Sequence, residues 1–333
     1  MSEDHGTVVT GGTAPGPEEP ASGGPVPEES GPGAVRVTDP VERATSTGLL
    51  LAGIALLWLV AMLWSARVTI TGRQEAEMEV TSTAYALPGA ISASLVAGAA
   101  VALAMLALLG RRRSVSATAR LAIAAGTGLA LGLLAALSVV TINTEGWLYA
   151  VVGGTIAAAA TIGGAVAGFR VPRIVTAVCW GAVTVFVVNF LLSLFQAPLL
   201  DLFGAGDTQQ SQASAVGWFA TSASALSGAT AGLTGYLSLR RARRRTESAD
   251  VPWPFYALAG AGPGLLLVVA EGLARTAGAR VLDLAGRISE LELAAQGMLN
   301  GSRLNNALIV LFVGAVIAIV AVGRTMGPAP DDD

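Results

Sequence analysis

Residues 253–300 read WPFYALAGAGPGLLLVVAEGLARTAGARVLDLAGRISELELAAQGMLN, and this stretch decides the fold class. It opens with a long apolar segment in which one acid, Glu271, is followed four residues later by Arg275. A helix needs about 20 such residues to cross a bilayer. Beyond Arg275 the sequence passes, without a clear helix stop, into a more polar part with heptad-like spacing. The stretch predicts a membrane-spanning helix that leads into a helical element outside the lipid.

The composition of the whole chain supports a membrane protein. Of its 333 residues, 53% are hydrophobic and only 13% are charged, whereas soluble domains carry about 25% charged residues. The one cysteine, Cys179, excludes an intramolecular disulfide, and the one histidine, His5, lies in a polar tail. These counts exclude metal sites built from histidine and cysteine as well as histidine-based catalytic triads.

Eight apolar runs of roughly membrane-spanning length organise the chain. Each is predicted to be a helix, because lipid offers no partner to an unpaired backbone group. The predicted spans are 48–66, 86–109, 120–141, 147–169, 173–196, 214–238, 253–275 and 303–323. Residues 1–47, rich in glycine, proline and glutamate, are predicted to be a disordered acidic tail, and 324–333 form a second acidic tail.

The arginines predict the orientation. All 20 basic residues are arginine; 14 lie on the side of the N terminus and six on the other side. The positive-inside rule then places both termini in the cytoplasm and the protein in the plasma membrane. The absence of lysine suggests a GC-rich genome, for which an actinobacterium is the expected source.

Spans two and six are similar at the residue level. Ser92-Ala-Ser94 with Gly98-Ala99 matches Ser222-Ala-Ser224 with Gly228-Ala229 at an offset of 130, and both spans end in arginine runs. Spans three and seven match at a similar offset of 134. The pattern predicts a parallel 4+4 repeat, as in some transporters, and chance likeness between Ala/Gly-rich helices is the alternative.

Small residues at four-residue spacing predict close helix packing. The pairs are Gly128/Gly132, Gly164/Gly168, Gly228/Gly232 and Gly260/Gly264. Span six also carries five hydroxyl side chains spaced three and four residues apart: Thr221, Ser224, Ser227, Thr230 and Thr234. We predict that they form hydrogen bonds to other helices; the alternative is that they line a pore.

Two polar residues inside spans are the candidate functional residues. Glu271 lies about 27 Å along span seven at 1.5 Å per residue, near the outer margin of a hydrocarbon core of about 30 Å, and Asn189 falls at a comparable depth. Intramembrane carboxylates are often functional, which favours a proton-responsive or substrate-facing acid. Arg275, placed for an i,i+4 pair with Glu271, favours a structural ion pair instead, and the depth favours this second interpretation.

The segment after Arg275 predicts an amphipathic helix whose apolar seam runs through Val281, Leu284, Ile288, Leu291 and Met298. Packing on the bundle and binding of a partner are both open, while Asp283, Glu290 and Glu292 disfavour the surface of anionic lipid. Two loops are less defined. Residues 67–85 fit either a strand pair or a helix extension, and 197–213 are expected to be irregular.

The segment ALPGAISASLVAGAAVALAMLALLGRRR (86–113) and the Gly/Ala blocks around 121–169 resemble the streptophobe family of hydrophobic, multi-pass actinobacterial membrane proteins. The resemblance implies a helical membrane bundle and supplies no catalytic residues.

The sequence thus predicts an all-α, polytopic transmembrane helix bundle of about eight spans, with an extracytoplasmic helical hairpin at 276–302. Phosphate-loop, dinucleotide-binding, zinc-protease and serine-hydrolase motifs are absent; no cofactor, metal, enzymatic activity or nucleic-acid partner is expected. The leading functional hypothesis is an accessory or scaffold subunit that binds a membrane protein, or a second copy, through 277–300. The alternative is a secondary transporter with Glu271 and Asn189 near the outer end of its path.

Overall fold

Helices account for the regular structure of the described residues. The computed structural model describes residues 40–71, 76–110, 116–141, 147–246, 252–285 and 290–325, with side chains at 46–68, 87–110, 116–141, 149–244, 252–276 and 301–325. The helices belong to the compact unit Asp39–Asp333. In chain order they are α1 (Pro40–Thr71), α2 (Ala76–Gly110), α3 (Ala117–Val140), α4 (Trp147–Ala167), α5 (Pro172–Leu194), α6 (Gln196–Leu202), α7 (Gln209–Thr246), α8 (Trp253–Ala285) and α9 (Glu290–Gly323).

Seven of these helices, all but α6 and α7, are long and apolar enough to cross a bilayer. They make the chain a multi-pass membrane protein and confirm the predicted helical bundle. The predicted sixth span corresponds to α7, which is long enough but contains many serine, threonine and glycine residues that lower its hydropathy. The count of apolar spans in the described residues is therefore seven, with α7 as a more polar eighth candidate.

α7 runs beside α5 along most of the length of that helix. Near the end of α7, Tyr236 and Leu239 pack in one cluster with Ile174 at the start of α5. Farther back along α7, Ala231 packs with Val185, which lies beyond the middle of α5. The two helices are thus antiparallel and cover the same depth, so α7 crosses the bilayer if α5 does.

Single cysteines at Gln210 and Arg244 test whether α7 crosses. Both side chains are exposed, one near each end of α7. The native Cys179 is buried, so the parent protein should not react with a membrane-impermeant maleimide and serves as the control. In intact cells the reagent is expected to label one of the two introduced cysteines, and the other only after the membrane is opened. Labelling of both from the same side would contradict a crossing α7.

The helix ends resolve the two undefined loops. α1 extends to Thr71 and α2 begins at Ala76, so residues 67–85 are helix extensions rather than a strand pair wherever they are described. The expectation of an irregular loop at 197–213 was wrong in part, because Gln196–Leu202 is a short helix. Gly204, with φ +84°, ends it in the left-handed conformation that glycine adopts without strain.

The first helix begins earlier than predicted. α1 starts at Pro40, eight residues before the predicted span, and proline suits a first helical position because the amide hydrogen it lacks would have no helical partner. The predicted tail therefore overlaps the helix at its end. Residues 1–39 and 326–333, where the disordered tails were predicted, lie outside the described residues.

The two predicted halves pack their helices in the same way. In the first half the main pairs are α3 with α4, α2 with α4 and α1 with α2. In the second half they are α8 with α9, α7 with α9 and α5 with α7, which are the equivalents under the repeat. This matching order of helix pairs supports a duplication, because chance likeness in composition does not dictate which helices touch.

Individual glycine contacts follow the same equivalence. Gly98 of α2 lies against the backbone of Ala160 in α4, and Gly228 of α7 lies against Val310 in α9. Gly98 and Gly228 are the residues matched in the sequence at an offset of 130. Their partners, Ala160 in α4 and Val310 in α9, are 150 residues apart. Spans four and eight therefore occupy equivalent positions in the repeat, although their sequences show little likeness.

A second pair of contacts gives the same offset for the last span of each half. Gly128 meets Gly164 between α3 and α4, and Gly260 meets Gly314 between α8 and α9. Gly164 and Gly314 are again 150 residues apart. Gly128 and Gly260 are 132 apart, so the contacts correct the offset of 134 suggested by the sequence. All four predicted small-residue pairs lie at such close approaches.

The first half (α1–α4) and the second half (α5–α9) contact each other through helices that are not equivalent under the repeat. α2 and α4 of the first half pack against α8 of the second, and α2 also touches α5. α1 and α5 meet where Trp58 stacks on Phe186, with ring centroids 4.5 Å apart. α4 ends at Ala167 and α5 begins at Pro172, so only four residues join these helices, which pack little against each other. The contact between the halves therefore centres on α2, α4 and α8, with smaller contacts of α1 and α2 with α5.

Candidate functional site

Glu271 and Arg275 form an ion pair within α8. The Nε of Arg275 donates a hydrogen bond to Oε1 of Glu271 at 3.1 Å. Glu271 is only 5% exposed, whereas the Arg275 side chain is 40% exposed. The predicted i,i+4 pair is thus confirmed. It neutralises a buried carboxylate, which would be expensive to leave unpaired in a medium of low dielectric constant.

The pair lies near the end of the apolar segment of α8, which runs from Trp253 to Thr276. Glu271 is flanked by Ala270 and Ala274, both part of the main apolar core. The carboxylate is thus buried beside the core, and its cationic partner is partly exposed.

A cavity of about 200 Å³ lies between the two halves of the bundle. Its walls come from α1, α2, α5 and α8, and they are mainly apolar. Trp58 and Phe186 line it on one side, and Pro263 and Leu266 on another. Asn189, one of the two polar candidates from the sequence, also lines this cavity.

Three residues of the cavity lining carry polar side-chain groups. Asn189 donates from Nδ2 to the carbonyl of Val185 at 3.0 Å. Ser92 donates to the carbonyl of Pro88 at 2.9 Å. The indole Nε1 of Trp58 is buried and has no hydrogen-bond partner among the described residues. A buried donor without an acceptor costs about 1–3 kcal/mol, so this N–H requires an explanation.

The structure does not bring Glu271 and Asn189 into one site. Glu271 is not among the residues that line the cavity, and the hydrogen bond of Asn189 is made within its own helix. Trp58 was not predicted as a site residue. A signal was present, because Trp58 lies in the middle of an apolar span, whereas tryptophan is usually enriched at the two membrane interfaces.

The hydroxyl groups of α7 mostly bond to their own helix. Thr221, Ser224 and Thr230 each donate to a carbonyl one turn back, which is always within reach of such side chains. Thr234 lies 3.4 Å from the hydroxyl of Thr184 in α5, and the hydroxyl of Tyr236 donates to Thr325 at 3.3 Å. The buried Ser227 Oγ has no partner among the described residues. The prediction of interhelical hydrogen bonding is therefore confirmed for Thr234 and wrong for Thr221, Ser224 and Thr230.

The predicted partner-binding seam is described only by its backbone. Val281 and Leu284 fall in α8, and Leu291 and Met298 fall in α9. Ile288 and all the side chains of the seam lie outside the described residues. Within the described part of the chain, no group of three or more His, Cys, Asp or Glu residues is placed to hold a metal ion.

Comparisons with known protein families, with curated proteins and with solved structures found no match to this chain. The resemblance to the streptophobes therefore stays a prediction, and function has to be argued from the geometry.

Proposed function

We propose that the protein is a non-enzymatic membrane component that engages a partner through residues 277–300. The observation that carries the proposal is the length of α8 and α9. The predicted seventh span ends at residue 275, but α8 continues to Ala285; the predicted eighth span starts at residue 303, but α9 begins at Glu290. These extensions add about 15 and 20 Å of helix beyond the predicted spans, on the same side.

The corresponding connection in the first half has no such extension. α3 ends at Val140 and α4 begins at Trp147, so at most six residues join the two helices. If the halves arose by duplication, the α8–α9 extension is what the second half has added. An added pair of helices with an apolar seam is suited to bind a membrane protein or a second copy of the chain.

The Glu271–Arg275 pair supports the same proposal. It lies just before the extension and is made within α8, so the buried carboxylate is engaged by Arg275. The rival function, a secondary transporter with Glu271 and Asn189 along its path, has less support. Glu271 is engaged by Arg275, and the cavity that contains Asn189 is mainly apolar and excludes Glu271 from its lining.

Site-specific photocrosslinking tests the proposal. A benzoylphenylalanine is placed at Leu284 or Leu291, one at a time, in the full chain in its native membrane. Irradiation is expected to give a discrete heavier species, because a docked partner lies within reach of the seam. The mass of that species distinguishes a second copy from another membrane protein.

The matched control is the same photoreactive residue at Leu134, which lies on α3 and is 67% exposed. This position faces lipid in the proposed arrangement, so it should give no protein adduct. The absence of protein adducts at both seam positions, or an identical adduct at Leu134, would count against partner binding through the extension.

The proposal includes a plasma-membrane location with both termini in the cytoplasm. It is supported by the excess of arginine on the side of the N terminus. In the cysteine-labelling experiment on α7, this orientation requires that Gln210→Cys, and not Arg244→Cys, be labelled from outside intact cells. A non-enzymatic role also agrees with the resemblance to the streptophobes, which implies no catalytic residues.

A further inference from the structure

We propose that the cavity between the two halves holds one acyl chain of a membrane lipid, which enters from the side through a mouth beside Asn189. The inference goes beyond partner binding through 277–300 and does not depend on it. It rests on the depth of the cavity, on the place where it opens, and on the chemistry and size of its walls.

The whole lining of the cavity belongs to membrane-spanning segments. Trp58 lies in the apolar segment Ser46–Val68 of α1, and the lining residues of α2 lie in Leu87–Gly110. Those of α5 and α8 lie in Pro172–Leu194 and Trp253–Thr276. An opening in this wall therefore faces the hydrocarbon of the bilayer and not water.

The cavity is partly open rather than enclosed, and its mouth lies on the α5 side of the bundle. Asn189 lines the cavity and is exposed, and the next two residues of α5, Phe190 and Leu191, are 53% and 48% exposed. A row of aromatic rings leads inwards from there. Phe190 stacks on Phe186 with centroids 6.2 Å apart, and Phe186 stacks on Trp58. The cavity therefore connects the lipid-facing surface of α5 with the interior of the bundle.

The walls of the cavity suit an apolar chain and offer little to a polar group. The hydroxyl of Ser92 donates to the carbonyl of Pro88, and the amide of Asn189 donates to that of Val185. The indole nitrogen of Trp58 is buried, beyond the reach of an occupant. The rest of the lining is aliphatic and aromatic, so it gains dispersion contacts from hydrocarbon, whereas water would find too few polar partners.

The size of the cavity fits part of a single chain. An engineered apolar cavity of about 150 Å³ binds benzene, and this cavity has a volume of about 200 Å³. By that comparison it holds roughly six to eight carbons of one chain, while the glycerol and headgroup stay outside. Acyl chains are the apolar groups in excess around any membrane protein, so they are the occupant that a cavity open to lipid meets first.

Brominated lipids test the inference, because bromine quenches tryptophan fluorescence at close contact. The full chain keeps Trp58 as its one tryptophan, and the others are replaced by phenylalanine: Trp64, Trp147, Trp180, Trp218 and Trp253. Its fluorescence in nanodiscs of phosphatidylcholine brominated at mid-chain is divided by that in the unbrominated lipid. We expect strong quenching of Trp58 although its side chain is only 8% exposed, because the chain in the cavity lies against the ring.

The dependence of quenching on the fraction of brominated lipid distinguishes one site from general contact with lipid. With a single chain in a single site, the unquenched signal should fall in proportion to the fraction of lipid without bromine. With several lipid neighbours it should fall more steeply, because any one of them quenches. The matched control is a chain with Trp64 as its one tryptophan, which lies on the same helix, is 68% exposed and should show the steeper dependence.

Ala182→Phe fills the cavity, because Ala182 is part of its wall. It should remove most of the quenching of Trp58 and leave that of Trp64 unchanged, whereas Leu134→Phe, on the exposed side of α3, should change neither. If Ala182→Phe does not fold, the proportional dependence of the Trp58 signal still decides the question.

Three results would overturn the proposal. Trp58 would stay unquenched if the cavity retained another apolar molecule or excluded lipid. A dependence for Trp58 as steep as that for Trp64 would mean contact with surrounding lipid instead of a site. Quenching of Trp58 that survives in folded Ala182→Phe would mean that the chain lies outside the cavity.

Discussion

Replacing Gly163 with alanine is expected to destabilise the bundle by about 3 kcal/mol, at the upper end of the cost of overpacking. A Cβ at this position would collide with the backbone carbonyl of Leu95 on α2 and approach the backbone nitrogen of Ala99 at 3.1 Å. Backbone atoms cannot rotate away as a side chain can, so α2 and α4 would have to separate. The free energy of unfolding in mixed micelles, titrated with a denaturing detergent, measures this effect.

Gly154→Ala in the same helix is the matched control. A Cβ there would meet nothing within 4 Å, and alanine is more favourable than glycine inside a helix by about 0.5–1 kcal/mol. The two substitutions make the same chemical change in α4 and should have opposite effects on stability.

A second pair of variants applies the same test to α8 in the second half. Gly264→Ala should lower the free energy of unfolding and the control Gly272→Ala should not, because of these two glycines only Gly264 abuts α9, at Leu311. Equal effects within either pair would refute the close packing.

Arg275→Ala is expected to cost about 2–3 kcal/mol in the same measurement. Breaking a buried ion pair costs about 3–5 kcal/mol, and the exposure of Arg275 at 40% reduces the effect, because solvent screens the exposed part of the interaction. The cost arises from Glu271, which would be left charged and buried at 5% exposure.

The double variant Glu271→Gln/Arg275→Ala distinguishes this origin from a general loss of packing. With the charge of Glu271 removed, loss of Arg275 should cost about 1 kcal/mol or less, because no buried charge is left uncompensated. Additive costs of Glu271→Gln and Arg275→Ala would mean that the two side chains do not interact. Such a result would reopen the interpretation of Glu271 as a free carboxylate.

The features that could be predicted from the sequence are those that depend on neighbours in the chain. The Glu271–Arg275 pair was predicted because residues four apart face each other on any helix. The glycine pairs were predicted because small residues allow close approach whichever helix is the partner. The apolar runs located the spans without knowledge of how they pack.

The features that could not be predicted depend on residues far apart in the chain. Trp58 and Phe186 are 128 residues apart, and nothing in either segment indicates that α1 meets α5. The cavity beside them follows from that contact. In the segment 67–85, alternation of polar and apolar residues fits a strand, yet the described residues there are helical, because continuity with two long helices outweighs a short local pattern.

The low hydropathy of α7 has a consequence for the biogenesis of the protein. The translocon transfers a segment into lipid according to the hydrophobicity of that segment, and α7, unlike α5 before it and α8 after it, is not among the helices apolar enough to qualify unaided. Its hydroxyl groups are largely satisfied within the helix, and two of its glycines, Gly228 and Gly232, fit against α9. α7 is therefore expected to enter the membrane only together with its neighbours. Integration of the second half would then be a concerted event that waits for synthesis of α8 and α9, whereas the helices of the first half can enter one by one.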